Sequence, residues 1–326
     1  MRAGGETSGG TALLAGAVRG GDIRAMPPSL TELAASVPPR IRFGSSSWTY
    51  PGWTGLVYGK RYPASGASAA MLGEYARFPL FRTAGIDSSF YRPPDAATLQ
   101  AYAAELPDDF PCVSKVWDRI TVHTFAKGPQ AGTANPDFLN GALFREAVYD
   151  VYAEHFAGHA GPFVFEFQTI ARRSGVSPGH FADLLDGFLG GLPRPAQYAV
   201  EIRNAEYLTP AYFAVLREHD VSHVFNSWTR MPPIGEQLDH PDAITAPFVV
   251  CRALLAPGVS NEQVAGRFEP YDRVREPRPD IRADLVRLAR LAIDRDLYAF
   301  VLINNRLEGS APLTIVALAE ALAAIS

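Results

Sequence analysis

From Ile41 onward, short runs rich in Val, Ile, Phe and Tyr alternate with longer amphipathic stretches. The short runs are Ile41–Ser46, Gly85–Tyr91, Cys112–Trp117, Phe163–Gln168, Gln197–Arg203, Val221–Asn226, Pro247–Ala253 and Tyr298–Asn304. Most are too short for helices, and β-branched and aromatic residues suit a pleated surface. Helical periodicity falls between them, over Met71–Phe78, Ala96–Leu106, Leu139–Phe156, His180–Leu189, Pro210–His219 and Ile281–Asp294. A last helix is expected over Pro312–Ile325, where proline suits the first turn.

Strand–helix alternation predicts a parallel sheet covered by helices. Eight strands in residues 41–326 fit a closed (β/α)8 barrel, one α/β domain, better than an open doubly wound sheet. An open sheet of that kind carries a glycine-rich phosphate loop after its first strand. Here the position reads Gly44-Ser45-Ser46-Ser47-Trp48, with neither GxGxxG nor Walker spacing.

Barrel enzymes place function where strands end and βα loops begin. Alternation with period two then says which residues face inward. Phe163, Phe165 and Phe167 share one face of the fourth strand and suit the helix-covered outside, which turns Glu166 and Gln168 inward. In the fifth strand the same argument turns Glu201 and Arg203 inward, and in the second it groups Gly85, Asp87, Ser89 and Tyr91. Other strand ends are polar or aromatic as well: Ser46 and Trp48, Lys115 and Trp117 with His123 beyond, Asn226 and Trp228, Arg252, then Asn304, Asn305 and Arg306. Buried charges are costly unless paired. A ring of such ends therefore predicts a polar ligand pocket.

Each of these residues also has a structural reading. Glu201 and Arg203 can pair and staple the barrel, with Lys115 as a counter-ion to Glu166, Glu201 or Asp87. His123 can be a loop hydrogen-bonder. Trp48, Trp53 and Trp228 can be packing, Asn304 and Asn305 caps, and Tyr91 an anchor for the Pro93-Pro94 turn.

Composition narrows the partners. Net charge is -4 and the pI about 6.0, which disfavours nucleic acid without excluding a local basic cleft. Cys112 and Cys251, far apart in apolar runs, make neither a disulfide framework nor a metal cluster, and read as reduced core thiols of a cytoplasmic protein. Residues 1–40 are rich in Gly, Ser and Pro and are expected to form a flexible leader, within which Met26 offers an alternative start. The apolar run Leu13–Val18 falls short of the roughly 20 residues of a membrane span. Glu6 and Gly16 argue against a secretory signal, so no membrane association is expected.

The stretch Gly44-Ser-Ser-Ser-Trp-Thr-Tyr-Pro-Gly-Trp-Thr-Gly-Leu-Val-Tyr58 resembles the opening motif of the YecE-like family, domain of unknown function 72. Asp87-Ser-Ser-Phe-Tyr-Arg-Pro-Pro94 looks like its second-strand segment. Phe110-Pro-Cys-Val-Ser-Lys115, Thr121-Val-His123, Ala199-Val-Glu-Ile-Arg203 and Ile303-Asn-Asn-Arg-Leu-Glu-Gly-Ser-Ala-Pro312 follow in order. The resemblance spans 41–326 and implies a TIM-barrel-like fold, but no reaction. It carries Trp48, Tyr91, Lys115, His123, Glu201, Arg203, Asn304 and Asn305 over as motif positions. Departures at Gly85, Asp87, Glu166 and Arg252-Ala-Leu-Leu255 imply a divergent subgroup.

Three functions stay open. The first is an enzyme, a hydrolase or a lyase/isomerase, acting on a small anionic or sugar-like ligand. Lys115, Arg203 and Arg252 would hold phosphate or carboxylate. Trp48, Tyr91, Asn226, Trp228, Asn304 and Asn305 would complete the binding wall. Glu166 and Glu201 would form an acid/base pair, at the roughly 5–6 Å spacing of a retaining glycosidase. Asp87 and His123 are further candidates. The sequence requires no cofactor, and a divalent metal on Asp87, Glu166 and Glu201 lacks supporting spacing. The second function is metal-assisted nucleic-acid or phosphodiester processing, with tryptophans stacking on bases. The third is a ligand-binding protein without catalysis.

Overall fold

Eight parallel strands form at the expected places: β1 (Ile41–Ser45), β2 (Ala84–Ile86), β3 (Cys112–Lys115), β4 (Ala160–Phe167), β5 (Tyr198–Ile202), β6 (Ser222–Asn226), β7 (Phe248–Ala253) and β8 (Tyr298–Ile303). The protein is seen in a computed structural model that describes residues 29–125, 129–256, 258, 259, 261–264 and 266–325. Ladders run in the order β1-β8-β7-β6-β5-β4-β3-β2, and helices cover the outside, so the chain is a single (β/α)8 barrel. Helix starts are fixed locally. Asp95, Ser177 and Thr209 each accept a hydrogen bond from the backbone N–H three residues on, and Pro178 and Pro210 open their helices.

Side-chain alternation divides the core in two. Phe163, Phe165, Phe167, Tyr198, Val200 and Ile202 face the helices. Val113, Val164, Ala199, Val224, Val250, Phe248, Phe300 and Leu302 fill the barrel interior. Lys115, Glu166, Glu201 and Arg252 each lie two residues beyond an interior apolar residue, so the period of two lifts them into the next layer.

The wall between β1 and β2 carries no ladder. The strands meet through glycine instead. A Cβ at Gly44 would lie 2.1 Å from the Thr83 carbonyl oxygen, and one at Gly85 would lie 2.9 Å from the Cα of Ser46. The fully buried Tyr75 hydroxyl spans this seam, accepting from the Ser45 N–H at 2.8 Å and donating to the Thr83 carbonyl at 3.1 Å. Beside it, the Arg82 N–H donates to Phe43 O at 2.9 Å.

Three expectations are corrected. The second strand ends at Ile86 because Asp87–Phe90 winds into a 3-10 turn, which breaks the alternation that placed Tyr91 inside. The helix expected over Leu139–Phe156 is interrupted by a π-turn at Arg145–Tyr149. The leader does not reach residue 40, because Leu30–Ser36 is a helix. Ser29 and Glu32 cap its start reciprocally, and the Arg82 guanidinium donates to the Ala34, Val37 and Pro38 carbonyls at its end. Residues 1–28, with Glu6, Leu13–Val18, Gly16 and Met26, lie outside the described residues. Among the described residues no helix is long and apolar enough to cross a membrane.

Two measurements test this architecture. Tyr75→Phe strands the buried Ser45 N–H and Thr83 carbonyl, at about 1–3 kcal/mol for each group left unsatisfied, and the urea midpoint falls accordingly. An unchanged midpoint would show that the hydroxyl does not carry the seam. The second test concerns His223, buried between the Tyr212 hydroxyl at Nδ1 and Gln237 Oε1 at Nε2. Burial lowers its pKa from 6.5 to about 4. The unfolded chain then takes up a proton that the fold refuses, so this contribution is complete above pH 6.5 and is lost as pH falls toward 4. Its full size is about 3 kcal/mol. Urea midpoints are expected to drop between pH 7 and 5, and to drop less in His223→Gln.

Candidate functional site

Six charged side chains meet at the C-terminal ends of β2, β3, β4, β5 and β7. Arg252 is at the centre. Its Nη1 lies 2.8 Å from Glu166 Oε2 and also contacts Glu201 Oε2, while its Nη2 lies 2.8 Å from Asp87 Oδ2. Lys115 Nζ is 2.6 Å from Glu166 Oε2 and 3.8 Å from Asp87 Oδ2. Arg203 Nη2 is 2.8 Å from Glu166 Oε2 and 3.3 Å from Glu201 Oε1. Three cations therefore face three carboxylates. The register explains the meeting, since Glu166 lies directly opposite Glu201 on paired strands.

Depth separates the carboxylates. Glu201 and Glu166 are 0% and 1% exposed at the side chain, whereas Asp87 is 26% exposed. Burial by itself raises the Glu166 pKa, but Arg203, Lys115 and Arg252 outweigh it and hold the carboxyl well below the usual range. Arg252 is pushed well above its ordinary pKa by Asp87, Glu201 and Glu166, against the opposing effect of burial. Gln168 donates to Glu166 Oε1 and fills another of its lone pairs.

Above this layer opens a cavity of about 640 Å³. Asp87, Lys115, Glu166, Arg203 and Arg252 form its floor, with Gln168, Thr169 and Asn304 on the wall and Tyr91, Arg230 and Arg306 around it. Tyr91 is 77% exposed there. The Arg203 guanidinium sits 3.7 Å over the Trp228 ring, so that face of the indole is already covered. The loop after β6 is held at its base by Gln237, whose amide donates to the carbonyls of Asn226 and Pro232.

Several expected site residues lie elsewhere. Trp48 is buried, donates its indole N–H to Ser68 O and packs edge-on against Tyr102. Trp53 is likewise core packing. His123 pairs with Thr124 and Phe138 and does not line the cavity. Asn226 spends its amide on the carbonyls of Ile202 and Val224. Asn305 accepts from the Ala311 N–H, whereas Asn304 both lines the cavity and caps the turn at Arg306. Of the Glu166/Glu201 pair, Glu166 lines the cavity and Glu201 does not, and Arg252 bridges the two. Arg252 contacts all three carboxylates, so it takes the place between them that a bridging metal would need. Among the described residues no group of three or more His, Cys, Asp or Glu is arranged to hold a metal ion.

Sequence reasoning missed Arg230, a loop residue two positions past Trp228 that lines the cavity. Tyr50 packs against Trp53 and Tyr271 and does not line it, and burial raises its pKa to about 12.

A protein-family model described as a protein of unknown function, DUF72, matches residues 42–325. Among solved structures, a DUF72 family protein from Enterococcus faecalis V583 is similar at 16% identity and a TM-score of 0.60, over 88% of this chain and 96% of that one. A DUF72 family protein from Thermotoga maritima MSB8 is similar at 18% identity and a TM-score of 0.58, over 86% of this chain and 98% of that one. No curated protein matches.

Removing one partner of a buried charge network leaves the others uncompensated, at about 3–5 kcal/mol. Arg252→Met is expected to lose that much stability in urea unfolding. A loss below about 1 kcal/mol, ordinary for a surface change, would show that the layer does not depend on Arg252.

Proposed function

We propose, for a chain that belongs to the DUF72 family of unknown function, an enzyme that moves a proton on a small anionic, hydroxylated ligand, with Asp87 as the proton acceptor. The observation that carries this reading is the difference in reach. Asp87 is the one carboxylate of the layer with a substantially exposed side chain, while Glu166 and Glu201 are sealed beneath cations. A retaining glycosidase needs one carboxyl kept protonated. The cations around Glu166 do the opposite, so glycoside cleavage by this pair is not favoured.

The charge layer supplies preorganisation. Its donors are locked against carboxylates before any ligand arrives, which lowers the cost of orienting them during reaction. Proton abstraction from a hydroxyl or an adjacent carbon fits a lyase or isomerase, and activation of water fits a hydrolase. The buried, unpaired Cys112 and Cys251 suit a reducing setting, which makes the cytoplasm our proposed location.

One observation favours a second reading. Lys115, Arg203 and Arg252 are each paired with a carboxylate, which suits a floor that holds a ligand without reacting with it. A thermal-shift panel of phosphates, carboxylates and sugars finds the ligand, and Asp87→Asn separates the readings. The amide oxygen still accepts from Arg252, so folding and binding are expected to persist while turnover falls about 10²–10⁴-fold. Undiminished turnover in Asp87→Asn would end the assignment of the base. Binding without any conversion would select the second reading.

A further inference from the structure

We infer that the substrate is an α-hydroxy aldehyde or ketone, and that the Lys115 ammonium takes up the negative charge that forms on its carbonyl oxygen. This rests on the reading of Asp87 as proton acceptor, and it names the substrate class and a second catalytic residue.

Asp87 and Lys115 stand side by side at the ends of β2 and β3, with Lys115 Nζ 3.8 Å from Asp87 Oδ2. That separation is too long for a hydrogen bond, so the two groups attract without using up each other's donor or lone pair. Arg252 occupies Asp87 Oδ2 at 2.8 Å, whereas no hydrogen bond among the described residues ends on Oδ1. A proton acceptor is thus left open beside an ammonium, and both line the cavity. The fold fixes their spacing. Ser89, buried in the 3-10 turn that begins at Asp87, shares its hydroxyl between the carbonyls of Ile86 and Lys115. That hydroxyl ties the turn to the backbone of Lys115 itself.

Lys115 is the cation of the layer best placed to meet a ligand. Its side chain is 11% exposed, against 7% for Arg203 and 1% for Arg252. Arg203 is spread over Glu166, Glu201, Gln168 and Trp228, and Arg252 over three carboxylates. The ring of Phe90, also on the cavity wall, covers one side of the ammonium at 4.5 Å. An apolar cover of that kind keeps water away and strengthens the charge at short range.

Taking a proton from carbon leaves an electron pair that needs somewhere to go. A carbonyl next to that carbon receives it, and the charge ends on oxygen, where a fixed cation stabilises it. A base and an ammonium 3.8 Å apart address the C–H and the carbonyl oxygen of one C–C=O fragment together. Asn304, at the end of β8, calls for a further oxygen on the ligand. Its Oδ1 accepts from the Arg306 N–H, but its amide N–H groups have no partner among the described residues and face the cavity as donors.

The step closes on itself. Asp87 takes the proton from the hydroxyl-bearing carbon. The C–H pair becomes the C=C bond of an enediol, and the carbonyl pair moves onto oxygen, which receives a proton from Lys115. The neighbouring hydroxyl then gives its proton to Lys115 while Asp87 returns its own to the former carbonyl carbon. Both residues end as they began, and the carbonyl has moved by one carbon.

The test is proton NMR of the full chain in deuterium oxide with α-hydroxy aldehydes and ketones from triose to hexose, neutral, carboxylated and phosphorylated. The corresponding polyols serve as controls. Asp87 trades its proton with solvent while holding it, so deuterium beside the carbonyl, or the isomer, is expected for at least one carbonyl compound and for no polyol. Lys115→Met is expected to slow exchange about 10²–10³-fold. Lys115→Arg keeps a cation against Glu166 and Asp87, so its urea midpoint should stay close to wild type while exchange slows about tenfold or more. Asp87-dependent exchange that is unchanged in both Lys115 variants would overturn the role of Lys115 and leave the proton acceptor standing. Asp87-dependent conversion of another ligand, with neither exchange nor isomerisation of any carbonyl compound, would overturn the substrate class alone. Exchange undiminished in Asp87→Asn would remove the acceptor and this inference with it. Absence of any conversion would overturn both.

Discussion

The Arg252 guanidinium lies inside the barrel with Asp87, Glu166 and Glu201 around it. A charge so deep is tolerable only when its partners are equally fixed. That requirement propagates outward. Glu166 must also satisfy Lys115 and Arg203, Arg203 then reaches back to Glu201, and its free face settles on Trp228. Beneath the layer, Val113, Val164, Ala199 and Val250 keep the interior apolar. Five strand ends are thereby tied into one rigid floor, and the cavity above inherits its shape from it.

Much of that floor was legible in the sequence because a strand has an exact period. Once the phenylalanines of β4 are assigned to the helix side, Glu166 must point inward, and the same logic yields Glu201 and Arg203, while Arg252 stood out only as a polar strand end. Legibility ends where the period ends. Tyr91 lost its inward assignment to a 3-10 turn, and Trp48, His123 and Asn305 sit beyond strand ends, where alternation no longer constrains a side chain. Arg230 carried no periodic signal at all. The helix at Leu30–Ser36 is a different case. Its Ser29-x-x-Glu32 capping box is plain in the sequence, but the glycine- and proline-rich surroundings outweighed it, and the arginine that closes its far end comes from residue 82. Pairing of charges was legible in part, since Glu201 with Arg203 and Lys115 with Glu166 or Asp87 could be read as pairs from the strands, whereas the link between Arg252 and Asp87 joins residues 165 positions apart.

The fold and the family agree with each other at low sequence identity. The solved DUF72 structures share 16% and 18% of their residues with this chain yet superpose along nearly their whole length. Backbone constraints of the kind seen at Gly44, Gly85 and Tyr75 act through space and hydrogen bonding, so the architecture tolerates wide change elsewhere. What a given member does is then set by the strand ends and loops, where a few substitutions alter charge and reach without disturbing the barrel.

The seam between β1 and β2 has a mechanical meaning. A cylinder laced along seven junctions and merely pinned along the eighth is anisotropic in stiffness. Glu166, Glu201 and Arg252 stand on the laced walls and cannot shift without stretching ladders on both sides. Asp87 follows directly on β2, beside the pinned junction. The most exposed carboxylate of the layer therefore follows on the pinned wall, and its ion pairs with Arg252 and Lys115 tie that wall to the laced ones across the barrel.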